Sequence, residues 1–337
     1  MTDAAPRDLV VVGASAGGVE ALRSLVAGLP QDFPACVLIV LHVPPSSPSA
    51  LPAILSRVGT LPVRHAREGD RLDPGTVLVA APDHHLIVYD GAVTLSHGPQ
   101  ENGHRPAIDV LFRSAARAKG GGVVGVILSG ALDDGSAGMV AIAQGGGACV
   151  IQEFSEALHD SMPRSAAAVV PDATVVSVAD MPSVLKTLLA TYVPREAPTR
   201  LMEVETAMAD MDPEAMHEPD RPGRPSGYAC PDCHGALFEI EEGPIVRFRC
   251  RVGHAWSPES LVARQTTDLE SALWMALRSL EEKAALNKQQ VVRALDRGHD
   301  LTARKLDSDA DEAVQAAELL RGLIATIGRG GSPKPGE

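Results

Sequence analysis

Three short stretches place residues able to do acyl chemistry where a buried strand would end. Ser15 stands in Val10-Val11-Val12-Gly13-Ala14-Ser15-Ala16-Gly17-Gly18, and His42 in Leu38-Ile39-Val40-Leu41-His42-Val43-Pro44. An aspartate pair, Asp133-Asp134, closes Val126-Ile127-Leu128-Ser129-Gly130-Ala131-Leu132-Asp133-Asp134-Gly135. In open parallel sheets, functional groups collect at the carboxyl ends of strands. A hydroxyl, an imidazole and a carboxylate gathered there form a nucleophile, its base and the group that orients the base. Gly13-Ala14-Ser15-Ala16-Gly17 fits a Gly-x-Ser-x-Gly nucleophile turn. As a dinucleotide fingerprint it fits poorly, because Ser15 occupies the second glycine position and His42-Val43-Pro44-Pro45 replaces the ribose-binding acid. The order Ser, His, Asp also differs from the Ser, Asp, His order of ordinary α/β-hydrolases.

A second constellation is C-x2-C-x16-C-x3-H, formed by Cys230, Cys233, Cys250 and His254. Two knuckle-like pairs at this spacing can close a tetrahedral Cys3His zinc site with no open coordination position, which is a structural role. His234, beside Cys233, is a competing ligand. Leu237–Ile240 and Ile245–Phe248 read as a hairpin between the pairs, and so small a patch would draw its stability from the metal. Cys36 and Cys149 lie alone in apolar runs and read as buried thiols.

The elements that must carry these groups alternate between two periods. Leu9–Val12, Cys36–Leu41, Thr76–Ala80, Val123–Leu128, Ala148–Gln152 and Thr174–Val178 are apolar on both faces, as in buried parallel strands. Asp90-Gly91, between Leu86–Tyr89 and Ala92–Leu95, predicts a local antiparallel hairpin. Leu22, Leu25, Val26 and Leu29 follow at helical spacing, completing strand, turn and helix around Ser15. The expected fold is α/β, a doubly wound, mostly parallel sheet over residues 1–194. Met202 to Asp220 holds seven acidic residues and no Lys or Arg, then Arg221-Pro222-Gly223-Arg224-Pro225 follows, so 195–226 reads as a flexible acidic, proline-rich linker. A zinc-ribbon-like module is expected at 227–258. A helical hairpin is expected at 259–329, with seams at Leu269, Leu273, Ala276, Leu280 and at Ala310, Ala313, Ala317, Leu320, Ile324, Ile327, turning at Gly298-His299-Asp300.

Composition narrows the function classes. A formal charge of −13 over 337 residues speaks against a nucleic-acid partner. No uncharged apolar stretch is long enough for a membrane span, and the first strand begins too early for a signal peptide, so a cytoplasmic location is expected. Five cysteines do not form a disulfide framework.

From residue 8 to the region of residue 192 the chain resembles the catalytic domain of the chemotaxis protein-glutamate methylesterases, the CheB family. The resemblance rests on Gly13–Gly18, Leu41-His42-Val43-Pro44, Arg105-Pro106-Ala107-Ile108-Asp109-Val110-Leu111-Phe112, Gly125–Gly130, Asp134-Gly135-Ser136-Ala137-Gly138-Met139 and Met162-Pro163-Arg164. It implies Ser15 as nucleophile, His42 as general base and then acid, and Asp134 as the carboxylate that orients His42. The family commonly has Asn or another polar residue at Asp133, Met at Ala131 and Thr at Ala16. The implied activity is a serine esterase that hydrolyses glutamate γ-methyl esters of chemoreceptor-like proteins and releases methanol, without a catalytic cofactor. Deamidation of receptor glutamine by the same triad is the near alternative, and a non-catalytic signalling adaptor the distant one. Amides near Gly130 and Ala131 are the expected oxyanion donors, and Arg105 and Asp109 either shape the cleft or serve the helix start. The family's usual N-terminal receiver domain is not expected here. The C-terminal region is expected instead to dock a kinase or response regulator, or to form a homodimer.

Overall fold

The computed structural model describes residues 5–45, 49–193, 197–217 and 223–330. Two compact units emerge, Met1–Leu261 and Val262–Glu337. The first opens with β1 (Ala5–Pro6), β2 (Leu9–Ala14), α1 (Gly18–Gly28), β3 (Cys36–Leu41), α2 (Leu51–Ser56), β4 (Val63–His65) and β5 (Val77–Val79). The hairpin β6 (His85–Tyr89) and β7 (Ala92–Ser96) follows, then α3 (Ile108–Lys119), β8 (Val123–Ile127) and α4 (Ser136–Gln144). The series closes with β9 (Ala148–Gln152), α5 (Ser161–Val169), β10 (Thr174–Val176), α6 (Met181–Leu189) and β11 (Tyr192–Val193), which pairs antiparallel with β1.

Seven parallel strands run in the order β10-β9-β8-β2-β3-β5-β4. The chain winds outward from β2 in one direction, then returns to lay β8 on its other side. The strand order therefore reverses at β2, and crevices for ligands open at such switch points. Alternate residues feed opposite layers: Leu9 and Val11 pack with α3, α4 and α5, whereas Val10 and Val12 pack with α1 and α6. Every residue of β2, β3 and β8 is buried, which is why these strands read as continuous apolar runs. The α/β architecture and the β6–β7 hairpin match the sequence reading. β4 escaped it because Val63-Arg64-His65 is short and mostly polar.

The expected flexible linker needs correction. Residues Arg200–Ala209 form α7, capped by the Thr199 hydroxyl, which accepts from the Met202 amide, and Pro213–His217 form α8. Residues 194–196 and 218–222, including Asp220 and Arg221-Pro222, lie outside the described residues. Helix α7 docks because its Glu205 is completely buried among arginines that arrive later in the chain. These sit on a four-stranded antiparallel sheet of β12 (Arg224–Ala229), β13 (Ala236–Glu242), β14 (Ile245–Cys250) and β15 (Ala255–Trp256). The expected hairpin is thus the centre of a larger ribbon, whose core joins Cys230, Leu237, Phe248, Trp256 and Leu261.

A buried network of charges knits this ribbon into the first unit. Arg247 donates to Glu205 at 3.0 and 2.6 Å and to Glu242 at 2.6 Å. Arg249 donates to Glu205 at 3.1 Å and to Glu101 at 2.7 Å, and Arg113 donates to both Glu101 oxygens at 2.7 and 2.9 Å. Three cations thus face three anions, all at 6% exposure or less.

The second unit is a helical hairpin. α9 (Pro258–Asp296) turns through Gly298, at φ 72°, into α10 (Asp300–Gly330). Ala310, Ala313 and Ala317 are buried as expected, with Leu320, Ile324 and Ile327 half-buried. On α9 the seam has a different register. Leu273 and Leu280 lie in it, but Leu277, Ala284 and Ala294 are its buried members, while Leu269 and Ala276 are exposed. Local spacing alone could not choose between two overlapping apolar stripes.

Two measurements check this account. Glu205→Ala leaves buried arginines without their counter-ion and should cost about 3–5 kcal/mol in urea unfolding. Arg224→Ala, which breaks only exposed pairs, should change stability by less than about 1 kcal/mol. Fully buried His85 donates through Nε2 to the Pro99 carbonyl at 2.9 Å, and burial pushes its imidazole down to about 4. The unfolded chain takes up that proton below 6.5, so the stability present above this pH is lost as pH falls toward 4. His85→Gln should flatten that part of the stability–pH curve.

Candidate active site

β8, β2 and β3 are neighbours, so the residues that follow them meet at one end of the sheet. Ser15 follows β2 and leads into α1 through Gly17 at φ 73°. A Cβ on Gly17 would lie 2.7 Å from Leu158 Cβ and 2.8 Å from Ser129 Oγ, so conformation and space both demand glycine. The Ser15 amide donates to the Ser129 carbonyl at 3.0 Å, and the His42 amide to the Ala14 carbonyl at 3.2 Å, fixing the three loops relative to one another.

The side chains of Ser15, His42 and Asp134 converge. His42 Nδ1 is 3.1 Å from Ser15 Oγ, and His42 Nε2 is 2.7 Å from Asp134 Oδ2. An ionised carboxylate only accepts, so Nε2 carries the proton and Nδ1 is left to accept from the serine hydroxyl. Of the two aspartates, Asp134 is the one beside His42. Asp133 turns away and accepts from Ser257 Oγ at 2.8 Å. Burial pushes Asp133 up to about 7, with Ser257 opposing and Glu259 adding to the shift.

Asp134 is 2% exposed yet richly bonded. Oδ2 also accepts from the Ile108 amide at 2.8 Å, and Oδ1 accepts from the Asp109 amide at 3.3 Å and Asn102 Nδ2 at 3.0 Å. Those amides are the N-terminus of α3, where partial positive charge favours an anion. Burial alone would raise this carboxyl. The hydrogen bond and charge of His42, with His104 and the Ile108 amide, outweigh burial and hold it well below the usual range. Asp109 answers in the other direction, its Oδ1 accepting from the amides of Gly135 at 3.0 Å and Gly138 at 2.6 Å, at the N-terminus of α4. Burial, and then Asp134, push Asp109 well up.

Two contributors escaped sequence reading. The His104 ring stacks on His42 with centroids 3.6 Å apart and an 11° interplanar angle, and burial followed by the charge of His42 pushes it down to about 4. Asn102 bridges Asp134 and Asp109, at 3.0 and 3.1 Å. Both sit in an irregular turn with no periodicity to point at them. Arg105 lines a cleft of about 280 Å³ with His42, Val43, Pro44, Pro45, Gln100, Gly103 and His104, and it also pairs with Asp83 at 2.7 Å. The expectation for the oxyanion donors needs revision, since the Gly130 amide donates to the His159 carbonyl at 3.0 Å.

In the ribbon, the ligand atoms of Cys230, Cys233, Cys250 and His254 all lie within 4.8 Å of one another. Cys233 and Cys250 sulfurs are 3.5 Å apart, and His254 Nδ1 is 3.7 Å from Cys230 Sγ and 3.6 Å from Cys250 Sγ. Tetrahedral bonds of about 2.3 Å to sulfur and 2.0–2.1 Å to nitrogen give edges close to these. His234 is exposed and outside the group. Cys36 and Cys149 are buried, and burial pushes their thiols up to about 11 and about 12. Among the described residues, no helix is long and apolar enough to cross a membrane.

The chain is 42% identical over 162 residues to a Pseudomonas aeruginosa protein named protein-glutamate methylesterase/protein-glutamine glutaminase 2, covering 47% of this chain and 46% of that one. A Methanosarcina acetivorans protein of the same name is 39% identical over 168 residues, covering 48% and 47%. The chain thus spans about half the length of the curated relatives it matches. The crystal structure of the Thermotoga maritima CheB methylesterase catalytic domain superposes with a TM-score of 0.52 at 29% identity, covering 55% of this chain and 100% of that one. The family profile described as CheB methylesterase matches residues 10–185, a span that contains Ser15, His42 and Asp134, and on that match the chain belongs to the CheB methylesterase family.

Proposed function

We propose that this chain is a protein-glutamate methylesterase acting on methylated, chemoreceptor-like proteins through Ser15, His42 and Asp134. The observation that carries the reading is the unbroken line of hydrogen bonds from Ser15 Oγ through His42 to Asp134. In this reading His42 Nδ1 takes the Ser15 proton as the oxygen attacks the γ-carboxyl carbon of a glutamate methyl ester. The imidazolium then protonates the departing methoxide, and methanol leaves. Water, activated by the same nitrogen, attacks the acyl-enzyme and returns Ser15. Asp134 stays ionised throughout and stabilises the imidazolium. The Ala131 amide and the N-terminus of α1 supply the field for the oxyanion. The names of the relatives favour a second use of the same chemistry, deamidation of glutamine, with ammonia leaving in place of methanol.

For the ribbon we propose a structural zinc held by Cys230, Cys233, Cys250 and His254. The spacing and the ligand-atom separations support it, and four protein ligands leave the ion no role in hydrolysis.

Methanol released from methylated receptor helices should fall by at least about a thousandfold in Ser15→Ala and His42→Ala. Equal release from wild type and both variants would refute the assignment. Ammonia released from receptor glutamines, lost in the same variants, would establish the deamidase. Protein purified without chelator should carry close to one zinc per chain by atomic emission. Cys250→Ser should lose the metal and melt at a lower temperature, and a metal-free wild type of unchanged stability would exclude the structural zinc.

A further inference from the structure

We infer that the cysteine-bearing ribbon is a positioning element of the hydrolase site, acting through Asn102 on the carboxylate of Asp134. The inference rests on the esterase reading and adds to it a part of the chain that lies outside the family match at residues 10–185.

The turn at residues 101–104 is held from both sides. Its own amides close it, Glu101 to the His104 carbonyl at 3.2 Å and His104 to the Glu101 carbonyl at 2.9 Å. The ribbon then clamps it, because the Asn102 amide donates to the Ala255 carbonyl at 2.8 Å while Asn102 sits at φ 53°. That left-handed conformation is one asparagine tolerates better than most residues. The same turn presents His104 to the face of His42.

The side chain of Asn102 makes the connection specific. Its Oδ1 accepts from the Ser257 amide at 2.8 Å and from Ser260 Oγ at 2.9 Å. Its Nδ2 donates to Asp134 Oδ1 at 3.0 Å and to Asp109 Oδ2 at 3.1 Å. A primary amide has two faces of opposite hydrogen-bonding character and can rotate to exchange them. Two donors just beyond β15, the Ser257 amide and Ser260 in the first turn of α9, fix Oδ1 on their side, and this turns the NH2 toward the two carboxylates. Without Ser257 and Ser260, a rotated amide would set its carbonyl oxygen against Asp134. Ser257 Oγ also holds Asp133, the chain neighbour of Asp134. Asn102 is 8% exposed, so water is a poor substitute for either set of partners. Asp134 in turn fixes which nitrogen of His42 carries the proton. Asn102 and Ser260 are therefore positioning residues, and the ribbon sets the competence of a base it does not touch.

The test uses the full chain, a fluorophosphonate probe that labels the proposed nucleophile, labelling rates across pH, and melting temperatures. Ser260→Ala should melt near wild type and label Ser15 about tenfold more slowly. Asn102→Asp sets another carboxylate against Asp134 and Asp109, favours the protonated imidazole, and should move the acid limb of the rate profile upward by about one pH unit. The double variant Asn102→Ala/Ser260→Ala should label no more slowly than Asn102→Ala, because both act along one path. Wild-type rates in Ser260→Ala together with an unmoved profile in Asn102→Asp would overturn the coupling, as would losses that multiply in the double variant. If Asn102→Ala does not fold, Ser260→Ala and the Asn102→Asp profile decide alone. A folded wild type that does not label at Ser15 overturns the esterase reading, and the coupling with it.

Discussion

An ionised carboxylate at 2% exposure is the constraint around which the site is arranged. Taking Asp134 out of water would favour its neutral form, and a neutral acid could not hold His42 in the required tautomer. The fold answers with an exchange between two helices. Asp134, from the turn that leads into α4, accepts from the first amides of α3, and Asp109, from the first turn of α3, accepts from the first amides of α4. Each helix start supplies donors to the other's acid. The imidazolium-forming partner and a fixed amide complete the solvation that water would otherwise provide.

Around this core lies a second arrangement of opposite charges. Glu101, Glu205 and Glu242 against Arg113, Arg247 and Arg249 contribute less to stability than their number suggests, since desolvation offsets much of the attraction. Their value is in specifying one placement. A ribbon docked in any other register would leave several buried charges without partners, at a cost of several kcal/mol each. The placement matters because Asn102 is the chain neighbour of Glu101, so the register of the charges also sets the register of the turn that reaches Asp134.

Much of this was legible in sequence where the determinant was local. Buried parallel strands announce themselves as Val/Ile runs, and glycines mark where the chain must turn beside Ser15 and Asp134. The choice of Asp134 over Asp133 needed the family resemblance, because both follow the same strand. Metal-ligand spacing singled out Cys230, Cys233, Cys250 and His254, and the structure brings those four ligand atoms within 4.8 Å of one another. What stayed hidden was pairing across long separations. Glu205 looked like one more acid in a solvated tract, since its arginine partners lie 42 and 44 residues downstream. Asn102 and His104 gave no signal, because their roles depend on elements brought together only by the fold.

The exchange of acids between α3 and α4 divides the site into two kinds of residue. Asp109 and Asp134 each hold the first amides of the other's helix, so their removal would unsettle packing whether or not any ester is ever cleaved. Ser15 is different, for its hydroxyl bonds only to His42 among the described residues. A chain of this fold with a purely architectural role would still need both aspartates and would be free to discard the serine. Retained acids would then testify to scaffolding, and only the hydroxyl would testify to a working enzyme.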